Sequence, residues 1–385
     1  MATDVRVGLV GCGLRLLTVA KNLKRATPLV SFAGVCDPDP DSIHAAREAL
    51  CPDGRVYESV EAMAADPSIH WLMIGSPNRL HATHTLAAFA GGKHVFCEKP
   101  LATTLDDVLA MKRAWQTSGR QFVLGLTLRH SPFYRAMRAW LDEGRIGKLI
   151  SMEFNETLDF NHGGHIHSHP WRRKTDLGGS HLLEKCCHDI DLALWMADSL
   201  PRYAASFGGR NYFVPEHAYM SGKIGQDAKG RTPFTCWPTR GERVDPFTGD
   251  TDVVDNQVGI LEFANGARAT FHTNCVAGIP ERRMLLLGVE GAIRGDVLTG
   301  ELEYRPVGFD AKPEYSADLD KGGHGGGDRI LGEDLAACML NGAKPRASLD
   351  EGVASAVTCF AMNEAMDSRR VVDCDRYWRQ LGESE

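Results

Sequence analysis

Val5-Arg-Val-Gly-Leu-Val10-Gly11-Cys-Gly13-Leu14-Arg15-Leu16 is a short apolar run, then a glycine turn, then the start of helical spacing that continues to Arg25. Strand, tight turn and helix in this order present backbone N–H groups and a helix N-terminus to a pyrophosphate. Leu16 stands where the full G-x-G-x-x-G pattern would place its third glycine. Gly11 and Gly13 serve the turn and the close approach of phosphate, whereas the third glycine only eases packing of helix on strand. Leu14 and Arg15 share this turn, and Arg15 either reaches a phosphate or sits in solvent on the first helical turn.

A second strand, Leu29 to Cys36, leads to Asp37, whose carboxylate can accept hydrogen bonds from ribose hydroxyls. A ribose 2′-phosphate there would meet like charge, so the site favours NAD over NADP. Further strands are expected at Ile69–Ile74, His94–Phe96 and Gln121–Gly125, each separated by a helix-length amphipathic segment. Residues 1–128 therefore read as a doubly wound parallel sheet, a Rossmann domain. Ligands sit at the carboxyl ends of such strands, which here carry Gly11, Asp37, Ser76-Pro77-Asn78 and Glu98-Lys99-Pro100.

The chain has 385 residues, 43% hydrophobic and 24% charged, enough for two or three domains that fold without disulfides. Its net charge of -7 argues against a nucleic-acid partner, because a phosphate-backbone binder needs a basic surplus. No apolar run approaches the roughly 20 residues that span a bilayer. Eleven cysteines are scattered without a CxxC pair, which fits reduced thiols in a cytoplasm.

Gly92-Lys-His-Val-Phe-Cys-Glu98-Lys99-Pro100-Leu-Ala, preceded by Ser76-Pro-Asn-Arg-Leu-His81, resembles the signature of the Gfo/Idh/MocA oxidoreductases. The resemblance runs on through Arg129-His-Ser-Pro, Gly144-Arg-Ile-Gly147, Gly178-Gly-Ser-His-Leu-Leu-Glu184-Lys185-Cys-Cys-His188-Asp-Ile-Asp191 and Leu287-Gly-Val-Glu-Gly291. It implies a lysine, Lys99, beside a nicotinamide, and a Lys99–Pro100 bond that is often cis in the family. It also implies a histidine, His188, suited to removing a proton from a sugar hydroxyl. Family members place an aspartate four residues before this histidine; here that position is Glu184, and Lys185 is a further departure. Helical spacing puts Glu184, His188 and Asp191 on one face, with Lys185 about 100° away.

From about Lys148 the pattern alternates as in an antiparallel sheet, at Leu149–Thr157, Asn256–Phe263, Ala267–Asn274, Arg283–Gly288, Ala292–Asp296 and Glu301–Arg305. Residues 129–385 read as a substrate-binding α+β domain with a large, mainly antiparallel sheet. Helices near 328–366 are expected to pack back toward the first domain, and the sheet to join copies in a homo-oligomer, dimer or tetramer. Within this domain the tract His162 to Lys174 holds His165, His167, Trp171, Arg172 and Lys174. Its glycines suggest a mobile loop that binds a metal, stays solvated, or contacts substrate by hydrogen bonds to hydroxyls or by pairing an anionic group. No acidic or thiolate ligand accompanies the histidines at metal spacing, so no metal is assigned. Gly208–Asp255 reads as a lid or an oligomer arm, and Gly322–Asp328 as a loop that brings His324 to the site or as a flexible linker. Arg129, Asp191 and His324 complete the candidate substrate residues.

The expected activity is hydride transfer between NAD and a ring carbon of a sugar or cyclic polyol, with Lys99, His188, Glu184 and Lys185 as the catalytic set. A glycoside hydrolase that uses NAD transiently, on an anionic glycoside such as a sulfoquinovoside, is the alternative. A non-catalytic NAD-binding regulator on the same fold is a third possibility.

Overall fold

A computed structural model describes residues 4–316 and 322–382. The chain divides into two compact units, residues 1–135 with 320–356, and residues 136–319 with 357–385. The segment 322–356 groups with the first unit; the sequence reading placed it within residues 129–385, with its helices packing back toward the first domain.

In the first unit, β1 (Val5–Val10), β2 (Val30–Cys36), β3 (Arg55–Val56), β4 (Trp71–Ile74), β5 (His94–Cys97) and β6 (Phe122–Leu124) form one sheet in the order β3-β2-β1-β4-β5-β6. Every pair is parallel. Strands of a parallel sheet are covered on both faces, which is why β1, β4 and β5 are continuous apolar runs with Leu9, Met73 and Phe96 fully buried. The helix Leu14–Ala26 buries Leu16, Leu17, Val19, Ala20 and Leu23, and carries Lys24 and Arg25 at its C-terminal end, where cations suit the helix dipole. Leu16 lies against Gly75: a Cβ on Gly75 would fall 2.6 Å from Leu16 Cβ. The close helix-on-strand approach that a third glycine would have permitted is supplied from the strand side instead. Leu331, Leu335 and Met339 of the helix Gly327–Asn341 join the same core as Leu16 and Leu23. The edge strand β3 carries no apolar signal, since both its residues are exposed.

The second unit holds β7 (Leu149–Thr157), β8 (Pro201–Gly209), β9 (Asn256–Phe263), β10 (Arg268–Asn274), β11 (Arg283–Gly288), β12 (Gly291–Asp296), β13 (Glu301–Pro306), β14 (Glu314–Tyr315) and β15 (Val372–Asp373). Their order is β14-β13-β12-β11-β7-β10-β9-β8-β15. The sheet is mixed: β7 and β10 run parallel, and the other neighbours antiparallel. β8 escaped sequence reading because its proline and glycines blur the alternation. In β10, Ala269, Phe271 and Thr273 are buried while Arg268, Thr270 and His272 face out, the period-two pattern of a sheet with one solvated face.

Two expectations are corrected here. The tract after His162 is not a mobile loop: Phe160–Ser168 is a helix, capped by the Asp159 carboxylate, which accepts from the N–H groups of Asn161 and His162. The segment 208–255 is anchored, since Phe213, Phe234, Phe247 and Val253 form a satellite core with Leu158, Ile166 and Cys275. All eleven cysteines are free thiols. No helix among the described residues is long and apolar enough to cross a membrane.

Candidate active site

The candidate residues divide between the two units. In the first, Gly11 ends β1 with φ +76, and a Cβ there would meet Ser76 N at 2.4 Å, so only glycine fits the turn. Gly13 is the N-cap of the following helix and faces open space. Asp37, at the end of β2, accepts from Cys12 N at 2.6 Å through Oδ2 and from Asp39 N at 2.8 Å through Oδ1. Its carboxylate is thereby held at the tip of the glycine turn with lone pairs left for ribose hydroxyls. An open helix N-terminus, a turn that tolerates no side chain and a fixed acid beside it suit a dinucleotide. Leu14 follows, 55% exposed.

Other residues expected to touch the cofactor have protein partners. Arg15 directs Nε to Glu98 Oε1 at 3.0 Å, Nη1 to Asp328 Oδ1 at 2.5 Å and Nη2 to Thr127 Oγ1 at 2.7 Å. Two of these contacts are with carboxylates, so the charge of Arg15 is met within the protein and the side chain clamps the Glu98 turn to Asp328. His81 is buried with ring nitrogens 2.7 Å from Pro100 O and 3.0 Å from Ser76 O, so it braces the turns at Ser76 and Pro100. Desolvation lowers its pKa. Ser76 Oγ lies 2.9 Å from His84 Nδ1, and Asn78 is buried. Lys99 is half-buried beside Glu98, and the Lys99–Pro100 bond is cis. Arg129, placed in this unit and not with the substrate domain, stands 3.9 Å from Glu351. His324, at φ 52, lies 2.9 Å from Asp328 Oδ2, so the glycine-rich stretch ends in a His–Asp–Arg15 network; the Asp328 pKa is lowered, despite burial, by His324 and Arg15.

In the second unit the helix expected across Glu184–Asp191 is broken into His181–Glu184 and Cys187–Ala197, with Lys185 and Cys186 between. Glu184, His188 and Asp191 are all buried. Glu184 ion-pairs with Arg172, whose guanidinium lies over the Trp171 ring at 4.5 Å. Lys185 Nζ is 2.7 Å from Glu156 Oε1, and Arg282 Nη1 is 3.1 Å from the same oxygen. Arg282 also meets Asp189 through Nε and Nη2, both at 2.8 Å. Burial raises the Asp189 pKa to about 8 while Arg282 opposes it; the Glu156 pKa is lowered because Arg282 and Lys185 outweigh its desolvation. Ligand atoms of Glu156, Cys186 and Asp189 lie within 4.8 Å of one another, and both carboxylates are paired with cations, Glu156 through Oε1 with Lys185 and Arg282 and Asp189 with Arg282.

Sequence reading missed Glu156, Arg282 and Asp189. Glu156 shares register parity with Met152 and Phe154, so a carboxylate on the buried face of β7 was a usable signal. Within the histidine tract, His167 is a core residue, fully buried, stacked on Phe213 at 4.3 Å and 3.1 Å from Thr251 Oγ1. Lys174 is held at the surface by Asp252 at 3.4 Å and Asp250 at 3.7 Å. His165 remains half-buried near His169 and Trp237, with ring centroids 5.0 and 5.5 Å away.

Residues 5–126 match the family model for the oxidoreductase family with an NAD-binding Rossmann fold, and residues 134–294 match the GFO/IDH/MocA C-terminal domain. A 1,5-anhydro-D-fructose reductase of Ensifer adhaerens is 28% identical over 81% of this chain and 82% of its own. An inositol 2-dehydrogenase of Acidothermus cellulolyticus is 30% identical over 54% of this chain and 59% of its own. Among solved structures, a levoglucosan dehydrogenase complex with NADH and levoglucosan superposes with a TM-score of 0.78 at 21% identity, covering 96% of this chain and 99% of that one. With the glycine turn, the fixed Asp37 and the Glu98-Lys99-Pro100 turn in one NAD-binding Rossmann unit, the chain belongs to the Gfo/Idh/MocA oxidoreductase family.

Proposed function

We propose that the chain is an NAD-dependent enzyme that oxidises a ring hydroxyl of a sugar or cyclic polyol. NAD, when bound, supplies the hydride acceptor. In this reading His188 is the base that takes the hydroxyl proton, and Lys99 is the cation that stabilises negative charge developing on oxygen. Glu184, engaged by Arg172, serves as a positioning group. Lys185, held by Glu156, is a second proton-handling group. The observation that carries this reading is the acid–base set in the second unit: a buried His188 with two charged neighbours in sequence, each fixed by its own counter-ion. Buried charges are costly unless paired, and ones retained on apolar helices mark functional sites.

Incubation with NAD and a panel of inositols, anhydrosugars, hexoses and nitrophenyl glycosides, read by NADH absorbance and by nitrophenol release, is the test. Net NADH with at least one of them supports the dehydrogenase. Release of an aglycone without net NADH selects the redox-neutral hydrolase. Full turnover by Lys99→Met or His188→Asn overturns the catalytic assignments.

Two further properties belong to this reading. The solvated face of the second-unit sheet exposes Phe207 (63%), Val258 (46%) and Ile260 (56%), with Phe207 and Val258 directly paired across strands, which supports a homo-oligomer through this sheet. Free, mostly buried thiols support a reducing, cytoplasmic setting.

A further inference from the structure

Most cations around the helix Phe160–Ser168 already face carboxylates. Arg172 meets Glu184, Arg173 lies 2.6 Å from Asp250, Lys174 lies 3.4 Å from Asp252, and Lys185 lies 2.7 Å from Glu156. Arg243 differs from these four. Its Nη1 donates to Ser168 Oγ at 2.8 Å, while Nη2 donates to the Trp237 carbonyl and stands 3.3 Å from His165 Nδ1. Among the described residues it forms no ion pair with a carboxylate. A guanidinium has five N–H donors, so these contacts hold the side chain in place and leave donors for a ligand.

The surroundings of Arg243 are neutral rings. His162 lies 4.6 Å from Trp237, His165 lies 5.5 Å from Trp237, and His165 and His169 are 5.0 Å apart, centroid to centroid. Burial first, then Arg172 and Arg243, lowers the His165 pKa to about 4. His162, at the other end of this row, has its pKa lowered by burial first and then by the charge of Lys185. Trp237, packed against His162 and His165, is 36% exposed, so part of its ring is open to apolar contact with a ligand. A fixed guanidinium without a counter-ion, bordered by neutral imidazoles and an indole, lacks only an anion.

We propose that Arg243, His165 and Trp237 form a subsite for an anionic substituent of the substrate, a carboxylate or sulfonate on a sugar ring. The proposal rests on the reading of the chain as a sugar enzyme and narrows its substrate class. It replaces Arg172 and Lys174, which have counter-ions, with Arg243 as the anion-recognising residue. The planar guanidinium fork suits two-point recognition of such a group.

The test is tryptophan fluorescence titration of the full chain in the presence of NAD, with D-glucuronate, 6-deoxy-6-sulfo-D-glucose and D-glucose as probes. At least one anionic sugar is expected to bind about tenfold or more tighter than glucose, as charge-assisted hydrogen bonds outweigh those of a hydroxyl. The tighter of the two identifies the anion. Arg243→Met is expected to bring the ratio close to one, and Arg243→Lys to keep part of it. Wild-type protein gives an independent reading: raising salt from about 20 to about 300 mM weakens binding of the anionic sugar and leaves glucose unaffected. Equal affinity for all three sugars, a preference that survives Arg243→Met, or binding indifferent to salt overturns the proposal. Turnover of neutral polyols alongside any of these results leaves the enzymatic reading standing and removes only the anionic subsite.

Discussion

Lys185 Nζ and Glu156 Oε1 lie 2.7 Å apart, joining the break in a helix to the buried face of β7. Arg282 binds the same carboxylate and also Asp189, so four ionisable side chains from three separate stretches of sequence form one buried network. Removing one member strands the others without solvent. Glu156→Gln is expected to destabilise the fold by about 3 kcal/mol, the usual scale for breaking a buried pair, measured by urea denaturation. Turnover of the variant falls and its pH profile shifts, since Lys185 loses its counter-ion. A variant as stable as wild type with an unmoved profile contradicts the role given to Glu156.

Arg15 is predicted to matter for stability and not for phosphate binding, because its three nitrogens hold Glu98, Asp328 and Thr127. Arg15→Met is expected to lower unfolding free energy by about 2 kcal/mol, allowing for partial exposure of the side chain. The salt dependence of NAD binding stays as in wild type. A flatter salt slope would show that Arg15 contacts the pyrophosphate after all.

At Gly11 both the positive φ and the 2.4 Å approach of a Cβ to Ser76 N exclude a side chain. Gly11→Ala is expected to lower the thermal unfolding midpoint as well as NAD binding, while Gly13→Ala, which meets no protein atom, keeps the midpoint and weakens only NAD binding in calorimetry. Equal loss of fold stability in the two variants would contradict the turn geometry.

The histidine row makes a prediction about acid stability. His165 is held near pKa 4 and His169 near 2, mainly by burial, against an ordinary value of 6.5. Below 6.5 the unfolded chain takes up protons that the folded chain does not, so stability present above pH 6.5 is lost as pH falls toward 4. Thermal unfolding followed over that window is expected to show a falling midpoint, and His165→Asn a shallower fall. Identical slopes in the two proteins would remove His165 from the account.

Self-association through the second-unit sheet is tested by placing charge on its apolar row. Phe207→Glu with Ile260→Glu is expected to convert the oligomer to a smaller species in sedimentation velocity, because both side chains are exposed on adjacent strands. An unchanged sedimentation coefficient places any interface elsewhere.

Local pattern determined the first unit in advance. Apolar runs ending in Gly11, Asp37 and Glu98-Lys99-Pro100 mark strand ends directly, because a parallel sheet buries whole strands and places its ligand residues where they stop. The alternation of β7 and β9 to β13 likewise announced the second sheet. Its parallel β7–β10 pair was not legible, since strand order depends on contacts distant in sequence.

The resemblance of Glu98-Lys99-Pro100 and of the stretch Glu184–Asp191 to the family signature thus nominated Lys99, Glu184, Lys185 and His188 without coordinates. Only the tertiary structure decided which charges already have partners. Arg15, Arg172 and Lys174 read as ligand cations in the sequence and are paired with Glu98 and Asp328, with Glu184, and with Asp250 and Asp252, while Arg243, unremarkable in the sequence, meets no carboxylate among the described residues. Periodicity reports which face of an element a side chain leaves from. The charge that meets it comes from a remote part of the chain, 313 residues away for Arg15 and Asp328, and folding alone brings it within a hydrogen-bond length.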